Sequence, residues 1–142
     1  MNNRPYVGVA AIVVRDQKVL LGKRKNNHGS GSWQFPGGHL EFKEDIKACA
    51  AREVLEETGI HIKNIRLGPY TNDIFESEDR HYITLFVIAE YDAGEAEVRE
   101  PDKCEKWGWF EPGRLPEPKF LPIRNLLKRN PDLESLLVRD VF

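Results

Sequence analysis

The sequence is poor in sulfur. Two cysteines and one methionine occur in 142 residues, and Cys49 and Cys104 have neither a Cys-x-x-Cys spacing nor a companion histidine cluster. That pattern excludes a disulfide-stapled secreted domain and a zinc ribbon, and two reduced, buried thiols in a cytoplasmic protein are expected. An excess of one charge is also missing. The 21 basic and 23 acidic residues leave a formal net charge of −2, with no surplus to grip a polyanion through counterion release. Stable nucleic-acid binding is not expected, although a small phosphorylated ligand fits this balance. No long hydrophobic run exists. The longest early one, from Val7 to Val14, includes Gly8 and falls far short of the roughly 20 residues that a membrane helix needs. Neither signal peptide nor membrane anchor is expected. Internal repeats, low-complexity tracts and a dividing linker are absent too, so a single domain over residues 1–142 is the expectation.

What is present alternates between strand-like and helix-like segments. Val7 to Val14 and Val19 to Lys23 are rich in β-branched and aliphatic residues and flank a four-residue polar connector, which predicts an antiparallel hairpin. The stretch from Gly29 to Gly38 holds four glycines and a proline and is expected to be an irregular shaped loop. Asp45 is positioned to cap a helix over Ile46 to Thr58, and Gly59 to end it in the left-handed conformation. Further strands are expected at Ile62 to Leu67, His81 to Tyr91 and Lys106 to Phe110, with Asn72-Asp73 and Glu78-Asp79 as turns. A proline-rich connector leads to a helix from Ile123 to Arg129, ended by Pro131, and Leu133, Leu136 and Leu137 are expected in another short turn.

The first helix carries the chemistry. Glu53, Glu56 and Glu57 stand at i, i+3 and i+4, within an arc of roughly 100°. Ala48, Ala51 and Leu55 lie opposite, which predicts an alanine-rich face on the sheet and the carboxylates together elsewhere. Two carboxylates about 5 Å apart repel by on the order of 3 kcal/mol at an effective dielectric near 20. A divalent cation reverses the sign of that cost. A solvated acidic face is the blander alternative, but such faces usually interleave cations, and here Arg52 is the only one among the three.

Reading outward, Gly38 is followed after five residues by Glu44, and after seven more by Arg52-Glu53-Val54-Leu55-Glu56-Glu57-Thr58-Gly59-Ile60. This pattern over 23 residues resembles the Nudix box at every specified position. The resemblance implies an α/β Nudix fold, an α/β/α sandwich around a mixed β-sheet. It implies that Glu53, Glu56 and Glu57, with the Gly38 carbonyl, bind Mg²⁺ or Mn²⁺, hard cations suited to oxygen ligands. It gives Arg52 a supporting role, paired with carboxylates such as Glu44. Glu53 is the first choice for catalytic base. A later acidic residue often assists in the family, with Glu105 the leading candidate and Glu100 the alternative.

Leu21 to Lys25, Gly29 to Glu41, His81 to Phe86 and Pro101 to Glu105 are similar to nucleoside-triphosphate-hydrolysing members, the thiopurine-nucleotide diphosphatase branch in particular. The loop after Arg24 and the C-terminal segment depart from that branch. Arg24, Trp33 and Thr84 are the substrate-binding candidates, and Phe35, Tyr82 and Phe86 offer aromatic surface for a base, with core packing the preferred role for Phe86. His39 is expected near the metal loop, whereas His28, His61 and His81 are expected to be surface or satisfied histidines. The main functional expectation is metal-dependent hydrolysis of a nucleoside triphosphate to monophosphate and pyrophosphate. Hydrolysis of ADP-ribose or another nucleoside diphosphate derivative is the alternative, and a non-catalytic nucleotide-binding module is the alternative of a different class. A homodimer is also expected.

Overall fold

A computed structural model describes residues 3–25 and 28–138. Strands β1 (Tyr6–Arg15) and β2 (Lys18–Arg24) form the first hairpin. Asp16 and Gln17 both have positive φ, the condition for a two-residue turn whose twist matches the strands. Helix α1 (Ile46–Thr58) follows the expected bounds. Asp45 accepts a hydrogen bond from the Ala48 N–H, and Gly59 ends the helix at φ 82° with its N–H on the Leu55 carbonyl.

The glycine-rich stretch contains regular structure, contrary to its composition. β3 (Trp33–Gln34) pairs with β2, and β4 (Gly37–His39) pairs antiparallel with β1, Gly38 facing Val9 and Gly37 facing Ala10. Glycine is the residue that fits there, because a Cβ on Gly37 would lie 2.0 Å from the Val9 carbonyl oxygen.

Asn72 and Asp73 are a second departure. They lie inside a long strand β5 (His61–Phe75), and the reversal comes later, through a 3₁₀ turn at Glu76–Glu78 and a left-handed Asp79, into β6 (Arg80–Ala93). β7 (Cys104–Phe110) returns to pair with β2. The sheet order is β3-β2-β1-β6-β5, with β1 and β6 parallel and the other pairings antiparallel. The sheet is therefore mixed.

Alternation along the strands feeds two cores. Val9, Ala11, Val13, Leu20 and Val87 meet Cys49, Ala50 and Val54 of α1 on one face. Ile12, Val19, Leu21, Phe86 and Ile88 meet α2 (Leu121–Arg129) and α3 (Leu133–Leu137) on the other. α2 starts two residues before the expected Ile123, because Pro122 sits in its first turn where a missing N–H costs nothing. The result is the expected three-layer sandwich. Cys49 and Cys104 are buried free thiols, burial raising the first to about 12 and the second to about 11. Among the described residues no helix is long and apolar enough to cross a membrane.

Candidate active site

The inward face of α1 is not the alanine face. Advancing about 100° per residue from Ile46, Ala50, Val54 and Glu57 fall near the centre of the stripe turned to the sheet, and Glu53 at its edge. Cys49, Ala50, Val54 and Thr58 are buried, whereas Ala48 and Leu55 are exposed. The carboxylates of Glu53 and Glu57 thus point toward β4, and Glu56 points to solvent.

Each acid has a different environment. Glu57 Oε1 accepts the Gly37 N–H at 3.0 Å. Burial pushes its carboxyl up to about 8, helped by the negative charges of Glu53 and Glu100 and opposed by the Gly37 N–H and Lys103. Glu53 is also raised, by burial first and then by Glu56 and Glu100 against the pull of Arg52. Arg52 organises the cluster. Its Nε and Nη2 hold both oxygens of Glu44 at 2.8 and 3.0 Å, and its Nη1 reaches Glu53 Oε2 at 3.1 Å and Glu56 Oε1 at 3.2 Å. The Arg52 hydrogen bond, then the Glu41 N–H, hold Glu44 down to about 2. Arg52 thus ties Glu44 to Glu53 and Glu56.

Gly38 stands directly against Glu53. A Cβ on Gly38 would lie 2.3 Å from the Glu53 carboxylate carbon. Among the described residues, no three acidic, histidine or cysteine groups stand together closely enough to hold an ion as they are oriented. The donor set nevertheless suits a hard cation. All three groups are carboxylates within one turn of the helix, the ligand type that Mg²⁺ and Mn²⁺ favour. Burial raises the carboxyls of Glu53 and Glu57, and a cation among them would offset that cost.

Across β4 from this cluster lies a cavity of about 160 Å³. Roughly 300–1,000 Å³ is usual for a site enclosing a whole drug-sized ligand, so the space suits a single base. Gly37, Gly38 and His39 form one wall, and Arg24, His28, Phe35, Thr84 and Phe86 line it as well. The His28 and Tyr82 rings lie nearly parallel, centroids 6.5 Å apart at 14°, with Phe75 edge-on to both. Arg24 is a committed wall. Its Nε donates to the His28 carbonyl at 3.0 Å, its Nη1 donates to Gln34 Oε1, and its guanidinium lies 4.0 Å over Phe120. Burial lowers its pKa from the ordinary arginine value.

Arg24 and Thr84 line the cavity, but Trp33 does not; it is buried against Phe110 in the core. Glu105 is exposed, and Glu100 is the later acid whose charge acts on Glu53 and Glu57. His39 donates to or accepts from the Tyr82 hydroxyl at 3.0 Å and stacks on Tyr6. His28 is neither a surface nor a satisfied histidine. Its Nδ1 is buried without a hydrogen-bond partner among the described residues. Phe75 and Phe120 were not singled out by spacing, since only the β5 to β6 reversal and the pairing of Phe120 with Trp33 bring them here.

The model of the NUDIX domain matches residues 4–129. The chain belongs to the Nudix family. Among solved structures, this Nudix chain is similar to a MutT NUDIX hydrolase from Burkholderia pseudomallei, at 34% identity and a TM-score of 0.83, with 89% of this chain and 98% of that one covered. An ADP-ribose pyrophosphatase of Methanocaldococcus jannaschii is 34% identical over 122 residues, 82% of this chain and 68% of that protein. The NAD-capped RNA hydrolase NudC of Vibrio parahaemolyticus is 35% identical over 107 residues. The match takes in 74% of this chain but only 38% of NudC. The Nudix hydrolase assignment and its mixed-sheet fold therefore stand, while these relatives lean toward diphosphate derivatives over the triphosphate that the sequence segments suggested.

Proposed function

We propose that this Nudix hydrolase cleaves the phosphoanhydride bond of a nucleoside diphosphate linked to a further group, ADP-ribose being the model substrate. The observation that carries the reading is the shared wall: Gly37 and Gly38 border the aromatic cavity and also touch Glu57 and Glu53. A base in the cavity would lay its diphosphate along β4 against the acidic helix. Arg24 fits the same class, since its Nε and Nη1 are taken by the His28 carbonyl and Gln34 and its guanidinium lies over Phe120 as a wall of the cavity. A nucleoside triphosphate is the second reading, favoured by the segments Leu21 to Lys25 and His81 to Phe86, which are similar to nucleoside-triphosphate-hydrolysing members.

Glu53, Glu56, Glu57 and the Gly38 carbonyl would hold Mg²⁺ or Mn²⁺, which neutralises phosphate charge and acidifies water when bound. Glu53 is the proposed base. Its Oε2 accepts from Arg52, which leaves Oε1 to take the proton of a water attacking phosphorus. Water's oxygen forms the new P–O bond as the anhydride P–O bond breaks, so ADP-ribose gives AMP and a sugar phosphate. Glu100 adds negative charge beside Glu53 and is proposed in place of Glu105 as the assisting acid. The expected homodimer would bury the exposed Leu67, Tyr70 and Ile74 of edge strand β5.

The test is a panel of ADP-ribose, dinucleotides and nucleoside triphosphates with Mg²⁺, products resolved by chromatography. ADP-ribose is expected to be cleaved with at least tenfold higher kcat/KM than any triphosphate, a difference of about 1.4 kcal/mol, and chelator is expected to abolish turnover. Release of pyrophosphate from a triphosphate as the dominant reaction would install the second reading.

A further inference from the structure

Asp73 is a buried carboxylate that the proposed chemistry does not use. It is 0% exposed and does not line the cavity. A charge so buried is tolerated only when donors surround it, and three elements supply them. Thr71 Oγ1 of β5 donates to Oδ2 at 3.0 Å, Thr84 Oγ1 of β6 donates to the same oxygen at 2.6 Å, and Asn125 Nδ2 of α2 donates to Oδ1 at 2.9 Å. Of these, Thr84 faces the cavity.

A threonine hydroxyl has one hydrogen and two lone pairs, and an aspartate carboxylate only accepts. The short bond to Asp73 therefore consumes the one hydrogen of Thr84. What its oxygen presents to the cavity is acceptor capacity alone. We propose that Asp73 is a positioning residue that fixes Thr84 as an acceptor, so that the cavity selects a base offering an amino group, adenine over hypoxanthine. The inference rests on the reading that the cavity holds the base. An amino group there donates to Thr84; a carbonyl in the same place sets oxygen against oxygen, with no hydrogen between them. Asp73 acts without touching the ligand, through the direction of a single hydrogen.

The substitution that tests this is Asp73→Asn. Its amide can keep the same shape, accept from Asn125 through Oδ1, and donate through Nδ2 to the Thr71 and Thr84 oxygens. Thr84 then becomes the acceptor inside the network, and its hydrogen is released toward the cavity. The polarity of the base-reading group is reversed without changing any atom that lines the cavity.

The experiment measures the affinities of AMP and IMP calorimetrically for the whole protein, since these nucleotides exchange donor and acceptor along the 1,6-edge of one purine. Wild type is expected to bind AMP at least tenfold more tightly, D73N to lose or invert that ratio, and Thr84→Ser to retain it. Contributions of Arg24 or His28 to base preference are common to wild type and D73N and cancel in the comparison. An unchanged ratio in folded D73N, or a wild-type ratio near one, overturns the proposal. Should D73N fail to fold, Thr84→Val decides, because it must lose the AMP preference if the hydroxyl reads the base. Because binding of these monophosphates does not depend on which polyphosphate is cut, a failed ADP-ribose assay beside an intact AMP preference sinks only the proposed function. Hydrolysis of ADP-ribose with no binding of either nucleotide sinks the placement of the base in the cavity, and this inference with it.

Discussion

Glu57 is where charge and burial conflict most. Its carboxyl is raised to about 8, from an ordinary value of 4.5, so between those limits the metal-free native state holds a proton that the unfolded chain has released. By linkage, the stability of the metal-free protein falls as pH rises through that window. Glu57→Gln removes the dependence while keeping an acceptor for the Gly37 N–H. Without metal the variant is expected to match wild type near pH 5 and to exceed it by at least ~1 kcal/mol at pH 8, since each pKa unit is worth about 1.4 kcal/mol. With saturating Mg²⁺ the order should reverse, because only wild type keeps the full ligand set. Urea midpoints at both pH values, with chelator and with Mg²⁺, check both expectations. Equal chelator midpoints at pH 8 would mean that the carboxylate ionises freely in the fold.

At the scale of elements, α1 divides what sequence can and cannot disclose. Its bounds were legible because Asp45 and Gly59 act locally, and the three glutamates were legible as a cluster because their spacing is helical. Which way the cluster faced was not. Counting alanines as the apolar stripe put Ala48, Ala51 and Leu55 on the sheet, whereas Cys49, Ala50 and Val54 are there with two of the glutamates. An inward carboxylate looks polar in any hydrophobic pattern, and only its partner on β4 explains it. Val54→Ala is therefore expected to destabilise by ~2 kcal/mol, and Leu55→Ala by much less, read as thermal midpoints. A larger loss at Leu55 would restore the alanine face. Asp73 misled in the same manner. Aspartate after asparagine reads as a turn, yet donors from Thr84 and from Asn125, 52 residues away, hold it within a strand. β4 has no side-chain pattern at all; its strand character comes from β1.

For the whole molecule, the family and its three layers were implied by a contiguous box, while the division into two cores appears only in the folded sheet. The cavity was not contiguous in sequence. Arg24, Thr84 and Tyr82 were within reach of inference, but His28, Phe75 and Phe120 come from a loop, the end of β5 and a helix entry, joined only when the sheet is complete. Completion depends on the parallel seam between β1 and β6, where Tyr6 meets Tyr82 and the register runs unbroken to Val14 and Glu90. Partners along that seam are 76 residues apart in sequence, 82 minus 6. Each flanking hairpin can close from local chain, β1 with β2 and β5 with β6, but the seam requires a long loop to close before any of its contacts repay the lost entropy. The kinetic bottleneck of folding thus lies in the middle of the finished sheet, and a nascent chain must carry both unpaired inner edges until the second hairpin has been made.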